Sequence, residues 1–285
     1  MTGERRITTY DRDGLTFRVR DEGPLDGDVV VLLHGFPQVS SSWDQVAPLL
    51  HAQGLRTLAP DQRGYSPGAR PRGRRAYRGT ELVADVVELA RLTGGPVHLV
   101  GHDWGAAVAW LTAAVAPGSV RTLTALSVPH PGAFFAALPR GQALHSWYIA
   151  LFNLPWLPER LLSRPGTADR FMRGAGMTPT MVADFRRDVV DSGALPGGLG
   201  WYRAMAFADP RLLRSRVPVP TTYVWSDGDV FLGRAGARLC KRYVEAPYTF
   251  EVLAGASHWL PDERPDDVAR AVLARVRPDA AGSLS

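Results

Sequence analysis

An aspartate between a strand-like and a helix-like segment is the feature of this sequence best suited to chemistry. Asp103 is the centre of the run Gly101–Gly105, which follows the apolar Val97–Val100 and precedes the apolar Ala106–Leu111. Small residues on both sides allow a sharp turn that presents the central side chain as a nucleophile. A serine here would form a stable ether with a saturated carbon, whereas an aspartate forms an ester that activated water can cleave. The pattern therefore predicts epoxide opening or carbon–halogen displacement.

A second turn, His34–Pro37, follows the apolar segment Val29–Leu33. In a strand–turn–helix arrangement, one backbone N–H from such a loop and one from the residue after the nucleophile can bind a developing oxyanion. The candidates are the backbone amides of Phe36 and Trp104. We expect them to stabilise the oxyanion that forms when water attacks the ester carbonyl.

A general base is predicted at His258, the last histidine, which follows the strand-like Tyr248–Leu253. An acid that orients this histidine should follow a late strand. Two aspartates qualify, and Asp229 is preferred because Asp227 precedes a glycine and has a ready role in a turn. No set of His, Cys, Asp or Glu has metal-ligand spacing, so neither a metal nor another cofactor is expected.

Short apolar segments alternate with amphipathic ones along most of the chain. Val29–Leu33 is typical of a strand covered on both faces of a sheet, and Gly79–Leu92 has an apolar helical stripe. The same pattern predicts further strands at Leu15–Arg20, Leu55–Ala59, Val97–Val100, Val120–Val128, Thr221–Trp225 and Tyr248–Leu253. It predicts two further helices, one that begins at Arg234 and one over Asp266–Val276. This alternation indicates an α/β fold with a mainly parallel sheet and helices on both faces.

The alternation stops over residues 129–218, which contain many aromatics and prolines but no strand pattern. We expect a helical lid there, inserted into a core formed by residues 1–128 and 219–285. Such an insertion would cover the carboxyl ends of the strands, where open α/β sheets bind ligands.

Aromatic residues of this insertion suggest an apolar substrate pocket. Trp147 and Trp201 are the candidates from the insertion, and Phe36 and Trp104 are those from the core. The expected ligand is a small apolar molecule, because such pockets are lined mainly by apolar and aromatic side chains.

Composition limits the partners and the compartment. The 285 residues carry a net charge of +5, and Lys241 is the only lysine. The densest basic cluster, Arg70–Arg78, has no aromatic stacking platform beyond Tyr77 and favours a solvated loop over a nucleic-acid site. No segment has the length of a membrane span or of a signal peptide, and the single Cys240 excludes an internal disulfide. We expect a cytoplasmic protein that binds neither nucleic acid nor membrane.

The sequence resembles the epoxide hydrolases of the α/β-hydrolase superfamily through essentially its whole length. Four segments carry the resemblance: the Asp103 turn, the His34–Pro37 turn, Asp61–Ser66, and His258–Trp259 with Glu263 and Pro265. The resemblance implies the α/β-hydrolase fold, Asp229 as the acid, and a pair of lid tyrosines that hydrogen-bond the epoxide oxygen. Tyr148 and Tyr202 match those tyrosines. The implied reaction adds water to an apolar epoxide and yields a vicinal diol.

Two alternatives stay open. Haloalkane dehalogenases share the aspartate turn and a following tryptophan whose indole binds halide, as Trp104 could. Their second halide donor is often an asparagine at the position of Phe36, whose ring cannot donate. A non-catalytic ligand-binding protein is the other alternative, and it would be marked by a missing catalytic position, whereas here each position is filled.

Overall fold

Eight strands form one sheet in the computed structural model, which describes residues 5–277. The strands are β1 (Thr9–Arg12), β2 (Leu15–Glu22), β3 (Val29–Leu33), β4 (Arg56–Pro60), β5 (Val97–His102), β6 (Val120–Leu126), β7 (Thr221–Ser226) and β8 (Tyr248–Leu253). Their order across the sheet is β1-β2-β4-β3-β5-β6-β7-β8. The pairs β1–β2 and β2–β4 are antiparallel and all others are parallel. The predicted α/β fold with a mainly parallel sheet is confirmed, and β1 is a strand that the sequence pattern did not indicate.

Helices cover both faces of the sheet. Within the described residues they are α1 (Ala47–His51), α2 (Gly79–Leu92), α3 (Trp104–Val115), α4 (Pro131–Ala137), α5 (Gln142–His145), α6 (Trp147–Asn153), α7 (Leu157–Leu162), α8 (Thr167–Gly174), α9 (Pro179–Phe185), α10 (Leu195–Ala204), α11 (Pro210–Arg214), α12 (Arg234–Leu239), α13 (Leu260–Glu263) and α14 (Pro265–Val276). Single turns of 3₁₀-helix connect several of them, at Ser40–Trp43, Arg74–Tyr77, Pro117–Ser119, Leu138–Arg140, Met205–Phe207 and Cys240–Tyr243. A π-helical turn, Arg186–Asp191, follows α9.

The burial of strand β3 between two helical layers explains why its residues are all apolar. Val31 and Leu33 belong to one buried cluster, while Val30 and Leu32 belong to a second cluster. Successive side chains of a strand point to opposite faces, so each face of β3 packs against a different helical layer. A strand buried on both faces requires apolar residues at every position.

The chain between β6 and β7 forms helices α4 to α11 and adds no strand to the sheet in the described part of the chain. These helices fall within the predicted lid range, residues 129–218. Residues 1–4 and 278–285 of the predicted core lie outside the described residues.

Helix α10 of this insertion lies directly against a loop of the core. The indole Nε1 of Trp201 donates to the backbone oxygen of Arg63 at 2.8 Å. A Cβ atom at Gly197 would lie 2.3 Å from the backbone oxygen of Gly64, so the two backbones can approach only because both residues are glycines. Arg63 is itself fixed by two hydrogen bonds of 2.7 Å to Asp85 of α2. The insertion is therefore joined to the core at a defined point.

Candidate active site

Asp103 occupies a strained turn between β5 and α3. Its φ of 52° and ψ of −122° are rare for a residue with a side chain. The neighbouring glycines permit this turn, because a Cβ atom at Gly105 would lie 2.1 Å from the backbone oxygen of Leu33 and one at Gly101 would lie 2.3 Å from that of Gly105. A strained strand-to-helix turn is the usual way of presenting a nucleophile at the edge of such a sheet.

The loop that follows β3 holds the Asp103 carboxylate. Its Oδ1 accepts a hydrogen bond of 2.8 Å from the backbone N–H of Phe36. The backbone N–H of Trp104 also helps to lower the pKa of this carboxyl group. A Cβ atom at Gly35 would lie 2.4 Å from Oδ1, so glycine is needed there. The two predicted oxyanion donors therefore lie at the same carboxyl group.

His258 lies between two carboxylates. Its Nε2 is 3.4 Å from Oδ2 of Asp103, and its Nδ1 is 2.7 Å from Oδ2 of Asp229. Burial would lower the pKa of His258, but the charges and hydrogen bonds of Asp229 and Asp103 outweigh burial and raise it to about 10. Burial likewise opposes ionisation of Asp103, but the hydrogen bond and charge of His258 outweigh it and lower the pKa of that carboxyl. The resting site thus contains an imidazolium between two carboxylates.

The two candidate acids are distinguished by their partners. Oδ1 of Asp229 accepts hydrogen bonds from the backbone N–H groups of Phe231 and Leu232, at 2.7 and 3.0 Å. Its other oxygen faces His258. The carboxylate of Asp227 instead accepts from the backbone N–H of Gly255 at 2.7 Å. Asp229 is therefore the aspartate that contacts His258, while Asp227 joins its loop to the loop after β8.

Two residues that the sequence analysis did not assign to the site hold the backbone of His258. His102 Nε2 and Ser127 Oγ lie 2.9 and 2.8 Å from the backbone oxygen of His258, and both donate to it. Burial lowers the pKa of His102 to about 4, so this imidazole is neutral. Their positions at the ends of β5 and β6 were visible in the sequence, but their contact with a residue more than 130 positions away was not.

Tyr148 of α6 and Tyr202 of α10 face the nucleophile. Their ring centroids are 6.1 Å apart, and both rings line the same two cavities as Asp103. Burial, together with the negative charge of Asp103, raises the pKa of both hydroxyls well above their usual value. Both tyrosines are therefore neutral and retain a proton to donate.

Two cavities meet at these three side chains. The large cavity measures about 280 Å³ and is lined on its core side by Trp104, Ala107 and Leu111. The small cavity measures about 20 Å³ and is lined by Phe36 and His258, among others. Together they form an apolar site around the Asp103 carboxylate.

The two other predicted pocket residues differ in position. Trp201 lines the large cavity with its ring while its N–H binds the backbone of the core. Trp147 is 60% exposed and packs on Phe171 at the surface. The structure therefore does not bring Trp147 together with Asp103, although it is adjacent to Tyr148 in the sequence.

Residues 5–277 contain no group of three or more His, Cys, Asp or Glu side chains arranged to hold a metal ion. No helix in the same residues is long and apolar enough to cross a membrane.

Known proteins of similar sequence and structure identify the family. The model of the alpha/beta hydrolase family matches residues 30–271. AB hydrolase superfamily protein YfhM of Bacillus subtilis is 35% identical, over 92% of this chain and 94% of that protein. Epoxide hydrolase A of Mycobacterium tuberculosis is 31% identical, over 92% of this chain and 94% of that protein.

A solved structure titled "Novel epoxide hydrolases belonging to the alpha/beta hydrolases superfamily in metagenomes from hot environments" superposes with a TM-score of 0.80. It is 29% identical in sequence, and the match covers 95% of this chain and 97% of that one. The chain therefore belongs to the alpha/beta hydrolase family and, within it, to the epoxide hydrolases.

Proposed function

We propose that this protein hydrolyses epoxides to vicinal diols through a covalent ester on Asp103. The observation that carries the proposal is the position of one ionised carboxylate between His258 and two neutral tyrosines. Nε2 of His258 lies 3.4 Å from the carboxylate, and Tyr148 and Tyr202 line the same cavities. The similarity to proteins named epoxide hydrolases supports the same reaction.

The first step forms the ester. Oδ2 of Asp103 attacks a ring carbon, and the ring C–O bond breaks as the new C–O bond forms. The electron pair of the broken bond goes to the epoxide oxygen, which takes a proton from Tyr148 or Tyr202. An alkoxide is a strongly basic leaving group, so a donor positioned at the oxygen lowers the barrier. Because Oδ1 is bound by the Phe36 amide, Oδ2 is the oxygen available for attack.

The second step cleaves the ester. Water attacks the ester carbonyl, and its proton goes to Nε2 of His258. The negative charge develops on Oδ1, which the amides of Phe36 and Trp104 stabilise, an effect typically worth about 3 kcal/mol per donor. As this intermediate collapses, the bond between the acyl carbon and Oδ2 breaks, and the departing alkoxide takes the proton of His258 to complete the diol. The carboxylic acid that remains gives its proton to His258, which restores the carboxylate and the imidazolium, so one water is added overall.

Ester formation also prepares His258 for its role as a base. In the free protein Asp229 and Asp103 together hold its pKa at about 10. The ester removes the negative charge of Asp103, so the pKa of His258 falls and the imidazolium gives its proton to the tyrosinate that the first step leaves. His258 is then neutral at the stage at which it must accept a proton. Asp229, which is hydrogen-bonded to Nδ1, stabilises the imidazolium that then forms.

The helical insertion over residues 129–218 acts as the lid of this site in our proposal. It contributes both tyrosines and most of the apolar wall of the large cavity. These apolar side chains favour apolar epoxides as substrates.

The test uses His258→Gln, in which ester formation should proceed while hydrolysis stalls. The variant is incubated with a mixture of epoxides and, separately, of haloalkanes, and the mass of the intact protein is measured. A gain equal to a whole epoxide that maps to Asp103 is the expected result. The matched control is the double variant that also carries Asp103→Asn, which should gain no mass.

The alternatives give different masses. A gain equal to an alkyl group without its halogen would establish dehalogenation, with the Trp104 indole as a halide donor. The absence of an adduct from either mixture would contradict both reactions and favour a binding protein.

A further inference from the structure

The two cavities that meet at Asp103 differ more than tenfold in volume, about 280 Å³ against about 20 Å³. Asp103, Tyr148 and Tyr202 line both cavities, so an epoxide ring held by these side chains lies at the junction. Trp104 lines only the large cavity and His258 only the small one. The ring therefore has room for a large substituent on the Trp104 side alone.

The small cavity cannot widen easily. Phe152, which is buried, packs edge-on against Phe36, Tyr148 and Tyr202, with centroid distances of 5.0 to 5.5 Å. On the opposite side, Trp259 is fixed by a hydrogen bond of 2.8 Å from its indole to the backbone oxygen of Ala175. Widening the cavity at either of these walls would require packed aromatic rings to move, which close packing opposes.

The volume of the small cavity suits a single water molecule. A water needs a cavity volume of roughly 10–15 Å³, and this cavity offers about 20 Å³ beside His258. This is where the water that cleaves the ester must lie, because it has to reach both His258 and the ester carbonyl. A substituent in that space would take the place of the hydrolytic water.

The large cavity is lined mostly by apolar side chains, and the one cation among the described residues that line it is already paired. Besides Asp103, its charged side chains are Arg78 and Asp209. Arg78 pairs with Glu81 at 3.0 Å, and Asp209 accepts a hydrogen bond of 2.8 Å from the backbone N–H of Arg211. A carboxylate on the substrate would therefore find no free cation there, and the carboxylates of Asp103 and Asp209 would repel it.

We propose that the substrates are terminal epoxides that carry one long or bulky apolar substituent. The substituent lies in the large cavity, and the unsubstituted ring carbon faces the small cavity and its water. This inference rests on the proposed function and adds the substrate class to it.

The test compares two isomers of equal size, 1,2-epoxyoctane and cis-4,5-epoxyoctane, with 1,2-epoxypropane as a small reference. We expect kcat/KM for the terminal isomer to exceed that for the internal isomer by about 100-fold, because one propyl group of the internal isomer would have to enter the small cavity. Equal values for the two octane isomers would overturn the inference. Turnover of 1,2-epoxypropane with neither octane isomer would overturn it while leaving the proposed function standing. Hydrolysis of none of the three would overturn both.

A pair of variants locates the substituent. Ala107→Phe fills the large cavity from α3 and should lower kcat/KM for 1,2-epoxyoctane at least about 10-fold more than for 1,2-epoxypropane. The matched control, Ala183→Phe, adds the same ring at an exposed position of α9 and should leave the ratio of the two substrates unchanged. An unchanged ratio in Ala107→Phe as well would overturn the placement of the substituent.

Discussion

The edge of the sheet and the helical insertion position their functional groups by different forces. At the sheet edge Asp229 accepts three hydrogen bonds, from His258, Phe231 and Leu232. In the insertion, the ring of Tyr148 is held by aromatic neighbours, Phe152 at 5.4 Å and Phe231 at 5.2 Å between centroids. Hydrogen bonds are directional, whereas apolar contacts depend mainly on buried area. The charged groups therefore have one defined geometry, while the proton donors can adjust to the substrate.

The two tyrosines also differ in how firmly they are held. Tyr202 follows Trp201, whose indole is hydrogen-bonded to the core, and precedes Arg203, which forms two hydrogen bonds to Glu159. Tyr148 lies on the seven-residue helix α6 beside the exposed Trp147. Tyr202 is thus the more firmly held of the two donors, and variants of the sheet edge and of the insertion should differ in the step that they affect.

The largest effect is expected from Asp229→Asn at the sheet edge. An amide cannot fix the tautomer of His258 or stabilise its imidazolium, so the second step should slow by about 10³- to 10⁴-fold. The first step should be much less affected, and the ester should accumulate. Rapid-quench measurement of ester formation and decay in a single turnover separates the two steps.

Asp227→Asn is the matched control for this prediction, since the same change is made two residues away in the same loop. Its carboxylate binds the backbone of Gly255 and not His258, so ester decay should remain close to that of the unmodified protein. Equal slowing in both variants would mean that the loop, and not the acid at position 229, is responsible.

A smaller effect is expected from removing the tyrosine hydroxyls. Tyr202→Phe should slow ester formation by about 100-fold, because the remaining donor lies on the less firmly held helix. Tyr148→Phe should cost less, since the better positioned donor is retained. Decay of the ester should change little in either variant, because the tyrosines act on the epoxide oxygen. The rate of the pre-steady-state burst measures this difference, and a slowed decay with an unaffected burst would contradict the assignment.

Much of the sheet edge could be predicted from the sequence because its signals are local. The apolar run before Asp103 and the small residues around it define the turn in a few positions. The glycine after Asp227 gives that residue a ready role in a turn and so favours Asp229 as the acid. The contacts of His102 and Ser127 with His258 join distant segments, so no local pattern carried them.

The insertion was less predictable because its short helices carry aromatics on several faces. Trp147 and Tyr148 are consecutive, and about 100° separates neighbouring side chains on a helix. Which of the two faces the nucleophile depends on how α6 packs, not on its own sequence. Strand β1 was missed because four residues are too few for alternation to stand out.

The smallest effect is expected at the joint between the two regions. Trp201→Phe removes the hydrogen bond to the backbone of Arg63 and should lower the free energy of unfolding by about 1 kcal/mol. It should also slow ester formation roughly five- to tenfold, because Tyr202 loses its fixed position. Trp156→Phe, the same change at a side chain that is 67% exposed, should alter neither quantity. If Trp201 acts through Tyr202, adding Trp201→Phe to Tyr202→Phe should slow ester formation little further. If the double variant forms the ester a further five- to tenfold more slowly than Tyr202→Phe, Trp201 supports the site as a whole and not the tyrosine beside it.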